Sequence, residues 1–198
     1  MDRILMDRIL IGIPCNRQIR TQTVNSLFGI SNRTPYDLGL RIATQGFTIS
    51  ENRNVLAAQA VRDKYDYLLF IDDDMAFPPC LLNKMLSHRK DIVGVAYHPR
   101  FKIGKDDPTY FDKTHIITVK DKNIKELFEC RAVGTGIMLI KTEIFLKIPR
   151  PWFKMKTAKT GMTLMGEDWY FCQKARKSGF SVWCDPSVPV SHIGDSVF

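Results

Sequence analysis

The segment YLLFIDDDMAFPP, residues 67 to 79, constrains the fold of this 198-residue chain more than any other. An apolar run of the kind that fills a buried strand ends abruptly in Asp72, Asp73 and Asp74, and two prolines follow. Adjacent carboxylates repel one another unless a cation lies among them. The sequence therefore predicts a buried strand whose carboxyl end binds a metal ion, the alternative being a solvated acidic turn.

Predicted strands and helices alternate along the chain. Strands are predicted at 9–14, 35–46, 67–71, 91–97, 132–141 and 180–186, with short ones near 116–119. Helices are predicted at 16–30, 51–64 (with Ser50 as its cap), 78–90, 143–148 and 166–179, and a loop at 151–165. This order predicts one α/β domain over residues 1–198, with a mainly parallel central sheet flanked by helices. Ligands of such sheets bind beyond the carboxyl ends of the strands, where the three aspartates are predicted.

Composition limits the remaining possibilities. The repeat of MDRIL marks residues 1–8 as a disordered or alternative start, and no segment has the uninterrupted apolar length of a membrane span. Five scattered cysteines without a CxxC pair indicate reduced thiols and a cytoplasmic protein, in the host cytoplasm if the source is viral. The net charge of +8 favours nucleotide phosphates, nucleic acid or an acidic membrane as partners. The alternative is a solvated basic surface without such a partner.

A second candidate site lies in GEDWYFCQKARKSG, residues 166 to 179. Glu167 and Asp168 fall in the first turn of a predicted helix, where the helix dipole favours the ionised carboxylate that a general base needs. Acids at helix starts are also ordinary stabilisers, so this pattern alone does not decide. His192, near the C-terminus, is suited either to packing or to completing a metal site.

In their order along the chain, five blocks resemble the family 2-like glycosyltransferases of the GT-A fold, especially the short viral and prokaryotic forms. The resemblance extends from about Ile9 to Gly194. The blocks are IGIPCNRQ, ISENRNVLAAQA, YLLFIDDDMAFPP, AVGTGIMLIKTEIF and GEDWYFCQKARKSGF, the last followed by CDPSVPVSHIG.

The resemblance implies a role for each candidate residue. Asp74 would ligate Mn²⁺ or Mg²⁺ directly, Asp72 would contact the metal or the ribose, Asp73 would bind the nucleotide, and His192 would be a further metal ligand. Asp168 would be the catalytic base, with Glu167 in support. The nucleoside would be held by Pro14, Asn16, Arg53 and Asn54, and the sugar and acceptor would be lined by Gly134, Thr135 and Gly136.

The implied reaction moves a sugar from a nucleotide-diphosphate donor, a UDP- or GDP-sugar, to a hydroxyl of a glycan, protein or lipid. It would be metal-dependent and inverting. Residues 155–165, MKTAKTGMTLM, would form a lid that orders over the donor. No nucleic-acid partner and no membrane span are expected. The chain is short for such an enzyme, which leaves the acceptor open.

Three alternatives stand beside this interpretation. A nucleotidyltransferase would carry a glycine-rich basic loop after the first strand, whereas the chain has PCNRQIR there. A nucleic-acid-binding protein would account for the basic charge but not for the acidic segment or for Glu167 and Asp168. A catalytically inactive relative would bind the nucleotide sugar without turning it over.

Overall fold

The computed structural model of the chain describes residues 6–15, 17–32, 35–46, 48–97 and 125–194. The main sheet has seven strands in this spatial order: Asp37–Ala43 (β2), Arg8–Pro14 (β1), Tyr67–Ile71 (β3), Ile137–Lys141 (β7), Ile92–Val95 (β5), Val182–Asp185 (β10) and Phe128–Cys130 (β6). Met75–Ala76 (β4) pairs with Ser191–His192 (β11), and Lys156–Thr157 (β8) with Thr163–Met165 (β9). The helices are Thr21–Ser31 (α1), Ile49–Arg62 (α2), Leu81–Ser87 (α3), Glu143–Lys147 (α4) and Glu167–Lys177 (α5).

The main sheet is mainly parallel, as the alternation of elements predicted. β1 pairs in parallel with β2 and β3, and β10 with β5, while β7 and β6 run against their neighbours. The acidic segment follows β3, which lies inside the sheet between β1 and β7. Its aspartates therefore stand at the edge where the carboxyl ends of five strands meet.

The central strands β1, β3, β5 and β7 are buried on both faces, which explains why they are apolar runs instead of alternating patterns. Successive side chains of β3 point to opposite faces. Leu68 and Phe70 pack in the cluster that includes Phe171 of α5, whereas Leu69 and Ile71 pack in the cluster that includes Leu82 of α3. Each such side chain contributes roughly 1.5–3 kcal/mol when fully buried, and this packing holds the edge rigid.

The observed elements depart from the predicted ones in a few places. Residues 151–165, predicted as a loop, include the exposed hairpin of β8 and β9. Helix α2 is capped by Thr48 and not by Ser50, because the Thr48 hydroxyl and the Glu51 carboxylate form a reciprocal capping box. The sheet already includes Arg8, whose backbone N–H donates to Asp66. The short strands predicted near 116–119 lie outside the described residues.

Two further sequence-based expectations concern thiols and membranes. The cysteines at 15, 80, 130, 172 and 184 are all free, which agrees with the prediction of reduced thiols. In the part of the chain that the structure describes, no helix is both long enough and apolar enough to cross a bilayer.

Candidate active site

The backbone of the acidic turn is held from three directions. The Asp72 N–H donates to the Gly136 carbonyl at the start of β7, over 2.8 Å. The Asp73 carbonyl accepts from the Arg20 N–H at 2.8 Å and from the Thr23 hydroxyl at 3.1 Å. The Asp74 carbonyl accepts from the Ile193 N–H at 2.8 Å. The three carboxylates are therefore presented by a fixed turn.

Arg53 joins the two acidic segments that the sequence singled out. Its side chain is 2% exposed; Nη2 lies 2.8 Å from Asp72 Oδ1 and Nε lies 3.4 Å from Glu167 Oε1. Nη1 donates to the Thr135 carbonyl at 3.4 Å. Burial lowers the pKa of Arg53, but the charges of Asp72 and Glu167 outweigh that effect and raise it overall. The guanidinium is thus a permanent internal cation that neutralises part of the acidic cluster.

His192 reaches the acidic turn from the C-terminal tail. Strand β11 pairs antiparallel with β4, which sets His192 opposite Met75 and brings its ring next to Asp74. His192 Nε2 lies 3.2 Å from Asp74 Oδ2, and Asp74 is almost fully buried. The Tyr97 ring meets the imidazole edge-on, with 5.6 Å between ring centroids. A carboxylate and an imidazole separated by 118 positions therefore face each other at the sheet edge.

Asp168 has the electrostatics of a base that works near neutral pH. It lies in the first turn of α5, and its Oδ1 accepts the Trp169 N–H at 2.7 Å. Burial, and then the neighbouring charge of Glu167, raise the pKa of Asp168 to about 6. A carboxylate with this pKa is ionised at pH 7 yet basic enough to accept a proton.

Tyr97 belongs to the site although the sequence analysis did not select it. Its hydroxyl oxygen accepts the Gly136 N–H at 3.0 Å. A Cβ placed on Gly134 or Gly136 would lie 2.2 or 2.7 Å from that oxygen, so only glycine permits this approach at either position. Burial, and then the charges of Asp72 and Asp168, raise the Tyr97 pKa and keep it neutral. One signal for Tyr97 was available, since it closes a predicted strand whose carboxyl end lies at the same edge.

Of the other residues predicted to hold the nucleoside, one lies beside the acidic turn and one is directed away from it. Pro14 ends β1, and the thiol of the next residue, Cys15, is hydrogen-bonded to the Asp73 side chain. This strand end therefore lies beside the acidic turn. Asn54 is directed elsewhere: its Oδ1 accepts the N–H groups of Trp152 and Phe153, and its Nδ2 donates to the Phe153 carbonyl. Its predicted contact with a nucleoside stays a prediction. Asn16 lies outside the described residues.

The side chains near the acidic turn suit a divalent cation that is shared with a ligand. Asp74 and His192 offer one oxygen and one nitrogen within 3.2 Å of each other, while the nearby Asp72 is held by Arg53. No group of three His, Cys, Asp or Glu side chains that could hold a metal occurs among the described residues. Mg²⁺ and Mn²⁺ are commonly held by one or two protein side chains, with substrate phosphate and water completing the shell. The donor set fits that mode of binding.

Comparison with solved structures identifies the fold. The structure of A197 from STIV has a TM-score of 0.65 and 20% identity, covering 95% of this chain and 86% of that chain. GalNAc-T7, solved with UDP, GalNAc and Mn²⁺, has a TM-score of 0.61 and 14% identity, covering 97% and 44%. S. aureus TarS 1-349, solved with UDP-GlcNAc, has a TM-score of 0.55 and 15% identity, covering 98% and 60%.

These similarities establish the class of fold, which is the GT-A fold of nucleotide-sugar glycosyltransferases, as the sequence resemblance implied. No protein-family model matches the sequence, and no curated protein matches it either. Membership of family 2 therefore stays a prediction. The chain spans 44% of the GalNAc-T7 chain and 60% of the TarS chain.

Proposed function

We propose that this protein is a metal-dependent glycosyltransferase that moves a sugar from a nucleotide-diphosphate donor to a hydroxyl group of an acceptor. The observation that carries the proposal is the arrangement of acids around Arg53 and His192. Arg53 ties Asp72 to Glu167, next to Asp168, while Asp74 faces His192. This gives one sheet edge a cation-binding pair and a separate candidate base, on the fold of enzymes that use nucleotide sugars.

In the proposed reaction Asp168 removes the proton from the acceptor hydroxyl. The oxygen then bonds to the anomeric carbon of the donor sugar, and the bond between that carbon and the diphosphate oxygen breaks on the opposite face. The nucleoside diphosphate leaves with the bonding electrons, and the anomeric configuration is inverted. The raised pKa of Asp168 supports this role because it increases the affinity of the carboxylate for the transferred proton.

Asp74 and His192, with Asp72 nearby, would hold Mn²⁺ or Mg²⁺ in this site. The cation would supply positive charge to the departing diphosphate, as metal ions do at developing anions. Arg53 contacts both Asp72 and Glu167 and so holds a buried positive charge between the two carboxylates. Gly134, Thr135 and Gly136 place backbone beside Asp72 and Tyr97, where the sugar is proposed to lie.

A thermal-shift screen tests the donor site. UDP-, GDP-, CMP- and dTDP-sugars are each added with and without Mn²⁺ to the native protein and to Asp74→Ala. A ligand that binds only the folded state raises the melting temperature by mass action. We expect one nucleotide to give a metal-dependent rise that Asp74→Ala loses. A folded native protein that responds to none of these donors would exclude the proposed function.

Product analysis tests the mechanism once a donor is known. NMR of the anomeric proton distinguishes inversion from retention of configuration. An inverted product agrees with single displacement and Asp168 as base, whereas a retained configuration contradicts it. Donor binding without transfer or hydrolysis would instead identify the inactive relative considered from the sequence.

A further inference from the structure

A cavity lies alongside α5, next to the proposed reaction site. Its volume is about 260 Å³, and it is lined by Arg131, Trp169, Gln173 and Arg176. Residues 169, 173 and 176 are spaced by four and three positions, which places them on one face of α5. Arg131 comes from the segment that follows β6 and forms the opposing wall.

One end of this cavity adjoins the reaction site. Trp169 directly follows Asp168 and donates its backbone N–H to that carboxylate. Arg131 is followed by the buried residues Ala132 and Val133, which lead to Gly134. Cys130 pairs with Val182 at the amino end of β10, so Arg131 lies toward the opposite edge of the sheet, as does Arg176 in the last turn of α5. A sugar ring packed on Trp169 would therefore lie beside the predicted base, with its anionic group directed along α5 toward the two arginines.

The chemistry of the lining favours an anionic sugar. Two arginines line the cavity, and no acidic residue is among the described residues that line it. Guanidinium groups bind carboxylate and phosphate through paired, charge-assisted hydrogen bonds. The Trp169 indole offers an apolar face to a sugar ring, and the Gln173 amide offers a donor and an acceptor to hydroxyl groups.

The helix dipole explains only part of this charge. Basic residues in the last turn of a helix are ordinary stabilisers, and α5 carries Lys174, Arg176 and Lys177 there. Lys174 donates to the carbonyls of Pro149 and Pro151, so its position has a structural reason. Arg131 lies outside any helix, and the dipole gives no reason for its position in the cavity wall.

We propose that this cavity is the acceptor subsite of the proposed glycosyltransferase, and that the acceptor is a sugar carrying a carboxylate or phosphate group held by Arg131 and Arg176. This inference rests on the proposed function and names its substrate class. Trp169 sets the ring against α5, which directs a sugar hydroxyl towards Asp168. Arg131 and Arg176 thereby determine specificity and take no part in proton transfer.

The test uses the indole N–H signals of the ¹⁵N-labelled full chain, which contains three tryptophans. The Trp169 signal is assigned with Trp169→Phe. Methyl β-glucuronide, glucose 6-phosphate and the uncharged methyl β-glucoside are titrated separately, so the two anions are distinguished from each other and from the neutral ring. We expect at least one anionic sugar to shift the Trp169 signal, and the neutral glucoside to bind about tenfold more weakly.

Three variants assign the effect to the cavity. Arg131→Gln and Arg176→Gln should each weaken binding of the anionic sugar about tenfold. Lys177→Gln removes the same charge from the same helical turn but does not line the cavity, so it should leave binding within about twofold of the native value. Equal weakening by Lys177→Gln would show a general charge effect and overturn the proposal. Equal binding of the neutral glucoside, or no shift with either anionic sugar, would also overturn it.

The donor screen separates failure of this inference from failure of the proposed function. If a nucleotide sugar binds and the anionic sugars do not, the function stands and the anionic acceptor is wrong. If the anionic sugars bind and no nucleotide sugar does, the function is wrong and the acceptor assignment fails with it. Binding of both, with the anionic sugar retained when nucleotide and Mn²⁺ are present, is the result that supports both.

Discussion

The Arg53 guanidinium, on helix α2, lies 2.8 Å from the Asp72 carboxylate at the end of β3. The same guanidinium extends to Glu167, so one side chain joins the end of β3 to the start of α5. Removing it would leave two acids close together with no permanent cation. Such pairs are costly to break because the remaining charge stays desolvated.

We therefore expect Arg53→Met to lower the free energy of unfolding by about 2–4 kcal/mol at pH 7. Urea denaturation followed by circular dichroism measures it. Arg62→Met is the matched control, because Arg62 lies on the same helix and pairs with the adjacent Asp63 at the surface. The urea midpoint of the control should equal that of the native protein. An unchanged midpoint for Arg53→Met would mean that the buried contacts contribute no net stability.

The ionised form of Asp168, which is the form proposed to act as the base, should lower the stability of the folded protein above pH 6. Its pKa is about 6 in the folded state, against about 3.9 for an unperturbed aspartate. Between these values the folded state binds more protons than the unfolded state, so the free energy of unfolding falls as pH rises from about 4 to about 6. Asp168→Asn should escape this loss and gain roughly 1–3 kcal/mol over the native protein at pH 7.

The same substitution should reduce transfer by about 10²–10⁴-fold, since a general base contributes that much. In the native protein, kcat/KM should rise with pH and level off above the Asp168 pKa, because only the ionised carboxylate accepts a proton. Urea titrations and initial rates between pH 4 and 8 measure both effects. Glu143→Gln, at the opposite edge of the sheet, should change neither profile. A pH-independent stability difference between Asp168→Asn and the native protein would contradict the raised pKa.

Metal and donor should bind cooperatively. Because the described residues offer no cluster of three metal-binding side chains, Mn²⁺ alone should stabilise the protein little. Diphosphate oxygens would complete the shell, so the nucleotide and Mn²⁺ together should raise the melting temperature more than the sum of their separate effects. Asp74→Asn and His192→Ala should lose this excess. A large shift with Mn²⁺ alone would contradict the shared shell.

A second His–Asp pair provides the control for the metal experiment. His88 Nε2 lies 2.7 Å from Asp185 Oδ2, where α3 meets β10, with Ser187 bonded to the same carboxylate. Burial raises the pKa of Asp185, but hydrogen bonds from Ser187 and His88 outweigh it and lower the pKa overall. His88→Ala should lower basal stability but retain the cooperative response to nucleotide and Mn²⁺. If His88→Ala loses the cooperative response, the metal binds at His88 and Asp185, and its assignment to Asp74 and His192 is wrong.

The glycines at 134 and 136 should be coupled energetically to Tyr97. Gly134→Ala would bring a methyl group 2.2 Å from the Tyr97 hydroxyl oxygen, so the ring must move. We expect a cost of about 1–3 kcal/mol, typical of overpacking. In a Tyr97→Phe background the nearest atom is gone, and the cost of Gly134→Ala should be smaller. A double-mutant cycle by thermal unfolding measures the difference, and additive costs would contradict the contact.

Some of this site could be predicted from local sequence and some could not. The strand 67–71 and the helix starting at Glu167 are short-range patterns, and both are confirmed. The contact of Arg53 with Asp72 and Glu167 spans 19 and 114 positions, and it depends on how α2 packs across the sheet. No local propensity encodes that packing, which is also why Tyr97 was missed and why the contacts of Asn54 with Trp152 and Phe153 were not predicted.

The hairpin at 156–165 is a segment of regular structure that the sequence did not predict. Its residues are mostly exposed and carry no apolar period, so the sequence predicted a loop. The backbone nevertheless forms two short strands around a turn at Ala158–Gly161, where Gly161 adopts a φ of +84°. A glycine in the left-handed region is the one local signal for that turn. That residues 155–165 form a lid over the donor stays a prediction.

The hairpin should become protected when donor and metal bind. It carries the exposed residues Lys156 and Lys159, and it leads into Glu167 and Asp168. If it orders over the donor, trypsin cleavage after these lysines should slow at least several-fold with nucleotide sugar and Mn²⁺. Cleavage after Lys177, an exposed lysine at the far end of α5, serves as the internal reference. Mass spectrometry of the timed digests gives both rates. Equal slowing at Lys177 would indicate global stabilisation by ligand, and unchanged cleavage of the hairpin, with donor binding shown independently, would exclude a lid.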